Sequence, residues 1–166
     1  MSDDSVEDVP ESMTIVAWSG DLDKMWPTLI LGSTGAAYGM RTTIFFTFWG
    51  LFPLVRDDVR ITGTNAMTKA LAGMNRPGIS HMKLSKLNMA GAGAWMMKKL
   101  ANDQKVASPK ELIEMCLELD VRLWPCEMTM ELLGLRQDQL LEGVGTPVGA
   151  ATALSEMSRS QINLFI

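Results

Sequence analysis

The sequence predicts an α/β protein: a three-layer α/β/α sandwich around a mostly parallel sheet of about five strands. Short apolar runs alternate with helix-like stretches along the chain, the order produced when parallel strands are joined by crossover helices. The run TTIFFTF at 42–48 is β-branched and aromatic at successive positions, so both of its faces need cover, as in a parallel sheet between helices. Helix start signals fall where crossovers are required. In Ser108-Pro109-Lys110-Glu111 serine takes the cap, proline the first turn, and the glutamate closes a capping box.

With 166 residues the chain suits one domain whose core needs neither disulfides nor a metal. Residues 1–12 form an acidic tail expected to be flexible, and 13–166 a single α/β domain. A first strand is expected at 14–18, ended by Ser19-Gly20-Asp21, with Asp21 placed to cap a helix that runs to about Tyr38 and stops at Gly39. Gly32, Gly35, Ala36 and Ala37 let that helix approach the sheet closely. After the 42–48 strand comes an irregular insertion at about 50–88, broken by Gly50, Pro53, Gly63, Gly73, Pro77 and Gly78, with a short helix at 65–73. Helical pattern returns at 90–102 and again behind Ser108, where Leu112, Ile113 and Cys116 share an apolar stripe. A buried strand at 121–125, a short helix at 127–133, a further turn of helix at 137–141, a helix capped by Thr146-Pro147 and a terminal strand at 162–166 complete the order.

Composition limits the function. Apolar residues make up 47%, far too many for disorder. Fifteen basic residues stand against nineteen acidic ones, a net charge of -4. Asp3, Asp4, Glu7, Asp8 and Glu11 crowd the start, so the rest of the chain is close to neutral. No basic stripe exists to neutralise phosphates, which argues against a nucleic-acid partner. The acidic start is unlike a signal peptide and the two cysteines are no secreted disulfide framework, so a cytoplasmic protein is expected. The apolar stretches at 25–40 and 44–55 carry Pro27, Gly32, Gly35, Gly39 and Pro53 and are too short or too broken to span a bilayer.

In an open parallel sheet, ligands bind beyond the carboxyl ends of the strands. Three loops are therefore expected to meet at one edge: Ser19-Gly20-Asp21, Phe48-Trp49-Gly50 and Pro125-Cys126-Glu127. Ser19, Gly20, Asp21, Phe48, Trp49 and Met128 are the candidate substrate-binding residues, and Cys126 the candidate catalytic residue. Cys126 follows a buried strand and precedes a helix, whose positive end favours a thiolate over a thiol. The opposing reading makes Cys126 a small buried hydrophobe, and position alone leaves both open. Cys116, on an apolar helix stripe, reads as core. His81, the one histidine, reads as a surface loop residue. One histidine and two separated cysteines give no metal-ligand spacing, and no phosphate-binding glycine motif occurs, so neither metal nor cofactor is expected.

Ser19-Gly20-Asp21-Leu22-Asp23-Lys24, TTIFFTFWG at 42–50, residues 84–89 with Met96-Met97-Lys98-Lys99, and PCEMTMELLG at 125–134 together resemble the DsrE/DsrF-like family. The resemblance is to its larger DsrE-type branch, often labelled peroxiredoxin-like, and runs from about Met13 to Ile166. It implies a flavodoxin-like sandwich and a sulfur relay, in which one cysteine carries sulfane sulfur as a persulfide and passes it to a partner of TusA type or a rhodanese. The sulfur-bearing cysteine of that family matches Cys126, in a Cys-x-Met-x-Met setting. Pro125 departs from the small residue expected before it. The resemblance also implies a homo-oligomer and leaves peripheral membrane contact open. Two other readings stand beside it. One is a non-catalytic oligomeric interaction protein with an inert cysteine. The other is a thiol peroxidase, for which Thr129 is the nearest supporting hydroxyl.

Overall fold

The computed structural model describes residues 11–60 and 76–166. Four strands, β1 (Ser12–Ala17), β2 (Arg41–Phe46), β3 (Arg122–Pro125) and β4 (Ile162–Phe165), lie in the order β3-β2-β1-β4. All pair in parallel, with Ile15 opposite Ile44 and Leu164, and Ile44 opposite Leu123. The α/β class and the parallel sheet are as expected, but among the described residues the strand count is four and not about five. Beyond β3 the chain makes only a single parallel bridge, Val148 against Cys126. There the Gly145 N–H bonds to the Leu123 carbonyl and the Val148 N–H to the Pro125 carbonyl, both at 3.0 Å. Pro147 has no N–H to extend that pairing and glycines flank it at 145 and 149, so a fifth strand does not propagate.

The helices are α1 (Leu22–Ala37), α2 (Ala92–Asp103), α3 (Pro109–Glu118), α4 (Glu127–Leu133) and α5 (Ala150–Met157). Side-chain alternation along the strands gives the sheet two unequal faces. Met13, Ile15, Ala17, Ile44, Phe46 and Leu123 join the main core, against Met25 and Leu29 of α1, Leu112, Ile113 and Cys116 of α3, and Met130 and Leu133 of α4. The opposite face holds a small cluster of Val16, Phe45, Cys126 and Ala153 with Trp124, Val148 and Met157 against it. Of the helices among the described residues, α5 alone contributes to that cluster, through Ala153 and Met157.

Close approach of α1 to the sheet depends on glycine, as its composition predicts. A methyl on Gly32 would come within 2.6 Å of Ile44 Cδ1, and one on Gly35 would meet the Met13 Cε. The capping box of α3 forms as predicted. Ser108 Oγ accepts the Glu111 N–H at 3.3 Å, and the Glu111 carboxylate accepts the Ser108 N–H at 2.7 Å. These bonds to Ser108 hold the Glu111 carboxyl below its ordinary range.

Three expectations shift. Asp21 is the residue before α1, but its carboxylate makes no cap bond; it is taken by Ser19 Oγ–H at 3.0 Å and Lys24 Nζ at 3.4 Å. The last helix starts behind Gly149 and not at Thr146-Pro147, because Val148 is committed to the bridge with Cys126. The 90–102 helix starts at Ala92, after Ala90 and Gly91 take positive φ of 56° and 100°. Inside the irregular insertion, residues 50–55 are buried and Val55 bridges Leu140. The helix expected at 65–73 lies outside the described residues. Among the described residues no helix is long and apolar enough to cross a membrane.

Candidate functional site

β1, β2 and β3 all end at one edge of the sheet, and the segments that follow them are tied together there. The Thr47 N–H bonds to the Ala17 carbonyl at 2.9 Å, the Gly50 N–H to the Trp18 carbonyl at 3.1 Å, and the Cys126 N–H to the Phe46 carbonyl at 2.9 Å. Thr129, 2% exposed, accepts the Phe48 N–H at 3.1 Å and shares a 3.2 Å hydrogen bond with the Thr47 hydroxyl. That hydroxyl therefore fastens Phe48, which sits at a positive φ of 48°. This is the role sequence reasoning missed, and it gives the thiol peroxidase reading no support.

Two glycines permit the approach. A methyl on Gly20 would overlap the Trp49 carbonyl oxygen, and one on Gly50 the Ala17 carbonyl oxygen. Because the obstacle at Gly50 is backbone and not a mobile side chain, Gly50→Ala is expected to destabilise the fold by about 2–3 kcal/mol, as read from urea melts. A loss below about 0.5 kcal/mol would show that the edge is more yielding than described.

Cys126 follows β3 directly and is the N-terminal cap residue of α4. Its N–H and its neighbour's are both occupied, Glu127 N–H bonding the Val148 carbonyl at 3.0 Å. The amides of Met128 and Thr129 have no backbone acceptor among the described residues, as expected at a helix start. Its side chain belongs to the small core under α5, beside Val16, Phe45 and Ala153, and is only 3% exposed. Strand alternation puts it there: residues 122, 124 and 126 share one face. Met128, in contrast, is 64% exposed, and Met130 turns into the main core.

The remaining candidates fall into a second grouping. Ser19, Gly20, Asp21 and Trp49 line a cavity of about 290 Å³ with Trp18 and His81. Cys126, Phe48 and Met128 are not among its lining residues. The three predicted loops thus meet at one edge, while the thiol and the cavity are separate features. His81, expected on the surface, is half-buried in the cavity wall.

Cys116 is core, as its stripe predicts. It is fully buried, and its S–H reaches the Leu29 carbonyl at 3.8 Å. Burial pushes the thiol from its ordinary 9.0 up to about 12. The unfolded chain loses this proton near pH 9 while the fold keeps it, so the group's contribution is whole below pH 9 and falls as pH rises towards 12. At pH 10 the loss is about 1.4 kcal/mol. Cys116→Ala is expected to flatten that decline, measured as urea-melt stability at pH 8 and pH 10; an unchanged slope would place its origin elsewhere.

A family model described as the DsrE/DsrF/DrsH-like family matches residues 10–165. The chain belongs to this family. Two relatives agree along nearly the whole length. The Bacillus subtilis (strain 168) protein named uncharacterized protein YrkE is 38% identical over 153 residues, covering 92% of this chain and 95% of the relative. The sulfur carrier protein DsrE2 of Allochromatium vinosum is 33% identical over 159 residues, covering 94% and 98%. The DsrE-type resemblance drawn from the motifs at 19–24, 42–50 and 125–134 is therefore correct, and the four-stranded parallel sheet is the DsrE/DsrF-like chain's version of the fold.

Proposed function

We propose that this DsrE/DsrF-like protein works in sulfur relay, with Cys126 as the residue that carries sulfane sulfur. The observation that carries the reading is the placement of Cys126 at the carboxyl edge of the sheet, between β3 and the start of α4. Membership of the family and the 33% identical sulfur carrier support it.

The chemistry is two displacements without net oxidation. The Cys126 thiolate attacks the outer sulfur of a polysulfide or donor persulfide. A new S–S bond forms on Cys126 as the donor's S–S bond breaks, and the donor leaves as a thiolate. An acceptor thiolate then attacks the outer sulfur, takes it, and releases the Cys126 thiolate. No metal or organic cofactor enters either step. The acceptor is a partner thiol, on a carrier of TusA type or a rhodanese.

Because the thiol is 3% exposed, transfer requires its cover to move. The segment at 143–149 is the part suited to this. Gly143, Gly145 and Gly149 interrupt it, and it is held to β3 and α4 by three backbone hydrogen bonds, from Gly145, Val148 and Glu127. A docking partner that displaces Val148 would uncover the sulfur.

Intact mass spectrometry after polysulfide treatment tests the reading. A gain of one sulfur, removed by reductant and mapped to the Cys126 peptide, is the expected result. A reduced thiol that takes up no sulfur would favour the second reading, a non-catalytic homo-oligomeric protein with an inert cysteine. That alternative draws on the burial of Cys126 and on the exposed Trp95, Met96 and Leu100 of α2.

A further inference from the structure

We propose that the acidic segment at residues 1–10 docks on an arginine cluster at the amino edge of the sheet, the edge opposite Cys126. The cluster joins three elements. Arg41 opens β2, Arg122 opens β3 and Arg159 follows α5. All three guanidinium groups turn to the buried carboxylate of Glu156. Arg122 meets it most closely, while Arg41 Nη2 lies 3.5 Å away and Arg159 Nη2 3.6 Å away.

One carboxylate does not balance three arginines. Among the described residues no other carboxylate comes within ion-pair distance of them. The cluster is therefore net +2 (three cations less one anion) in a chain whose net charge is -4. Donors are left over as well. Arg41 is 53% exposed, and its guanidinium makes no hydrogen bond among the described residues beyond its ion pair with Glu156. Arg159 is 65% exposed and donates its Nε to the Ser155 carbonyl at 3.1 Å. A guanidinium carries five N–H donors in a planar fork matched to a carboxylate, so the outer sides of Arg41 and Arg159 can each take a further acid.

Where the chain enters the sheet selects the occupant. Ser12 lies opposite Arg41 in the β1–β2 register, and the Arg41 N–H bonds to the Glu11 carbonyl at 2.9 Å. On the other side, Ser12 Oγ–H donates to the Arg159 carbonyl at 3.2 Å. The residues before Ser12 therefore join the fold between the two exposed arginines. Their side chains include Asp3, Asp4, Glu7 and Asp8 and no lysine or arginine. Asp8 stands four positions before Ser12, within an extended reach of about 14 Å. Each exposed pair is weak alone, but a short tether holds its acids at an effective concentration of about millimolar. An acidic partner arriving from solution has to exceed that to displace them.

Phenylglyoxal, which modifies accessible guanidinium groups, tests the contact when its sites on the full chain are read by peptide mass spectrometry. With Asp3→Asn, Asp4→Asn, Glu7→Gln and Asp8→Asn combined, Arg41 and Arg159 should react about threefold faster or more at low salt. Arg56 and Arg136, which pair with Asp58 and Asp138, should keep their rates. In about 1 M salt, where the screening length falls to about 3 Å, the parent chain should match the variant. The reverse arm changes the cluster and reads the segment. Arg41→Gln with Arg159→Gln, both at side chains more than half exposed, should speed cleavage after Glu7 by a glutamate-specific protease by about threefold, with a melt confirming the fold. Unchanged rates at Arg41 and Arg159 in the neutralised variant overturn the proposal, as does an equal rise at Arg56 and Arg136. Cleavage after Glu7 that ignores the two arginines overturns it too. Protection that fades on about twentyfold dilution would assign the cluster to the acidic segment of a second copy, against the tethered contact.

Discussion

Changing Cys126 to serine is expected to lower persulfide formation at pH 8 by at least about a hundredfold, while Cys116→Ser loads nearly as much sulfur as the parent chain. The difference follows from the two environments. Thiolate is the attacking species, and burial pushes the Cys116 thiol up to about 12, so at pH 8 only about one molecule in ten thousand carries that thiolate. Cys116 is also sealed between α1 and α3, with its S–H on the Leu29 carbonyl. Cys126 is covered instead by one short helix and a glycine-rich segment. Quantitative mass spectrometry of the two variants after identical polysulfide exposure makes the comparison. Equal loss in both would end the one-cysteine mechanism, and full loading of Cys126→Ser would assign the sulfur to Cys116. A companion variant separates chemistry from access. Val148→Gly removes a side chain packed beside Cys126 and should speed alkylation of the native thiol several-fold.

What the sequence discloses is local, and what it hides depends on contacts between distant residues. TTIFFTF at 42–48 announced β2 because its apolar residues run on without alternation, and Ser108 with Glu111 announced α3 because both halves of the capping box lie within one turn. Cys116 was legible as core from its helix stripe. The expectation of about five strands exceeds the four runs legible at 14–18, 42–48, 121–125 and 162–166, and those four are the strands found among the described residues. The carboxyl edge was correctly placed, since any parallel sheet of this order provides one. That Cys126 would turn under α5, away from the cavity, follows from strand alternation, which was readable; how thinly that face would be covered was not. His81 joins the cavity only because the Lys83 carbonyl is bound by Leu22, sixty-one residues earlier in the chain, and no local pattern carries that information.

The thin face also depends on one buried acid. Glu156, on α5, is 4% exposed, and its carboxylate meets Arg122 at the start of β3, Arg41 at the start of β2 (3.5 Å) and Arg159 (3.6 Å). Arg41 and Arg159 are more than half exposed, so each contact alone is worth less than about 1 kcal/mol. Arg122 is more enclosed, with its guanidinium 4.9 Å from the centre of the Trp124 ring and its Nε buried without a partner among the described residues. Removing the carboxylate leaves three cations facing one another with no other ion pair among the described residues, and cuts the link between α5 and two strands. Breaking a buried pair by removing one partner costs about 3–5 kcal/mol; solvent around two of these arginines lowers the expectation for Glu156→Ala to about 3 kcal/mol. That corresponds to a fall in melting temperature of about 6–12 °C for a chain of this size. Glu156→Gln, which keeps the shape and hydrogen-bonding oxygen, should lose less. Because α5 is the helix over Cys126, Glu156→Ala should also raise the alkylation rate of that thiol in the native protein. A destabilisation under about 0.5 kcal/mol would mean that apolar packing alone holds α5. A full destabilisation with no change at Cys126 would mean that the 143–149 segment, and not the helix, controls access to the sulfur.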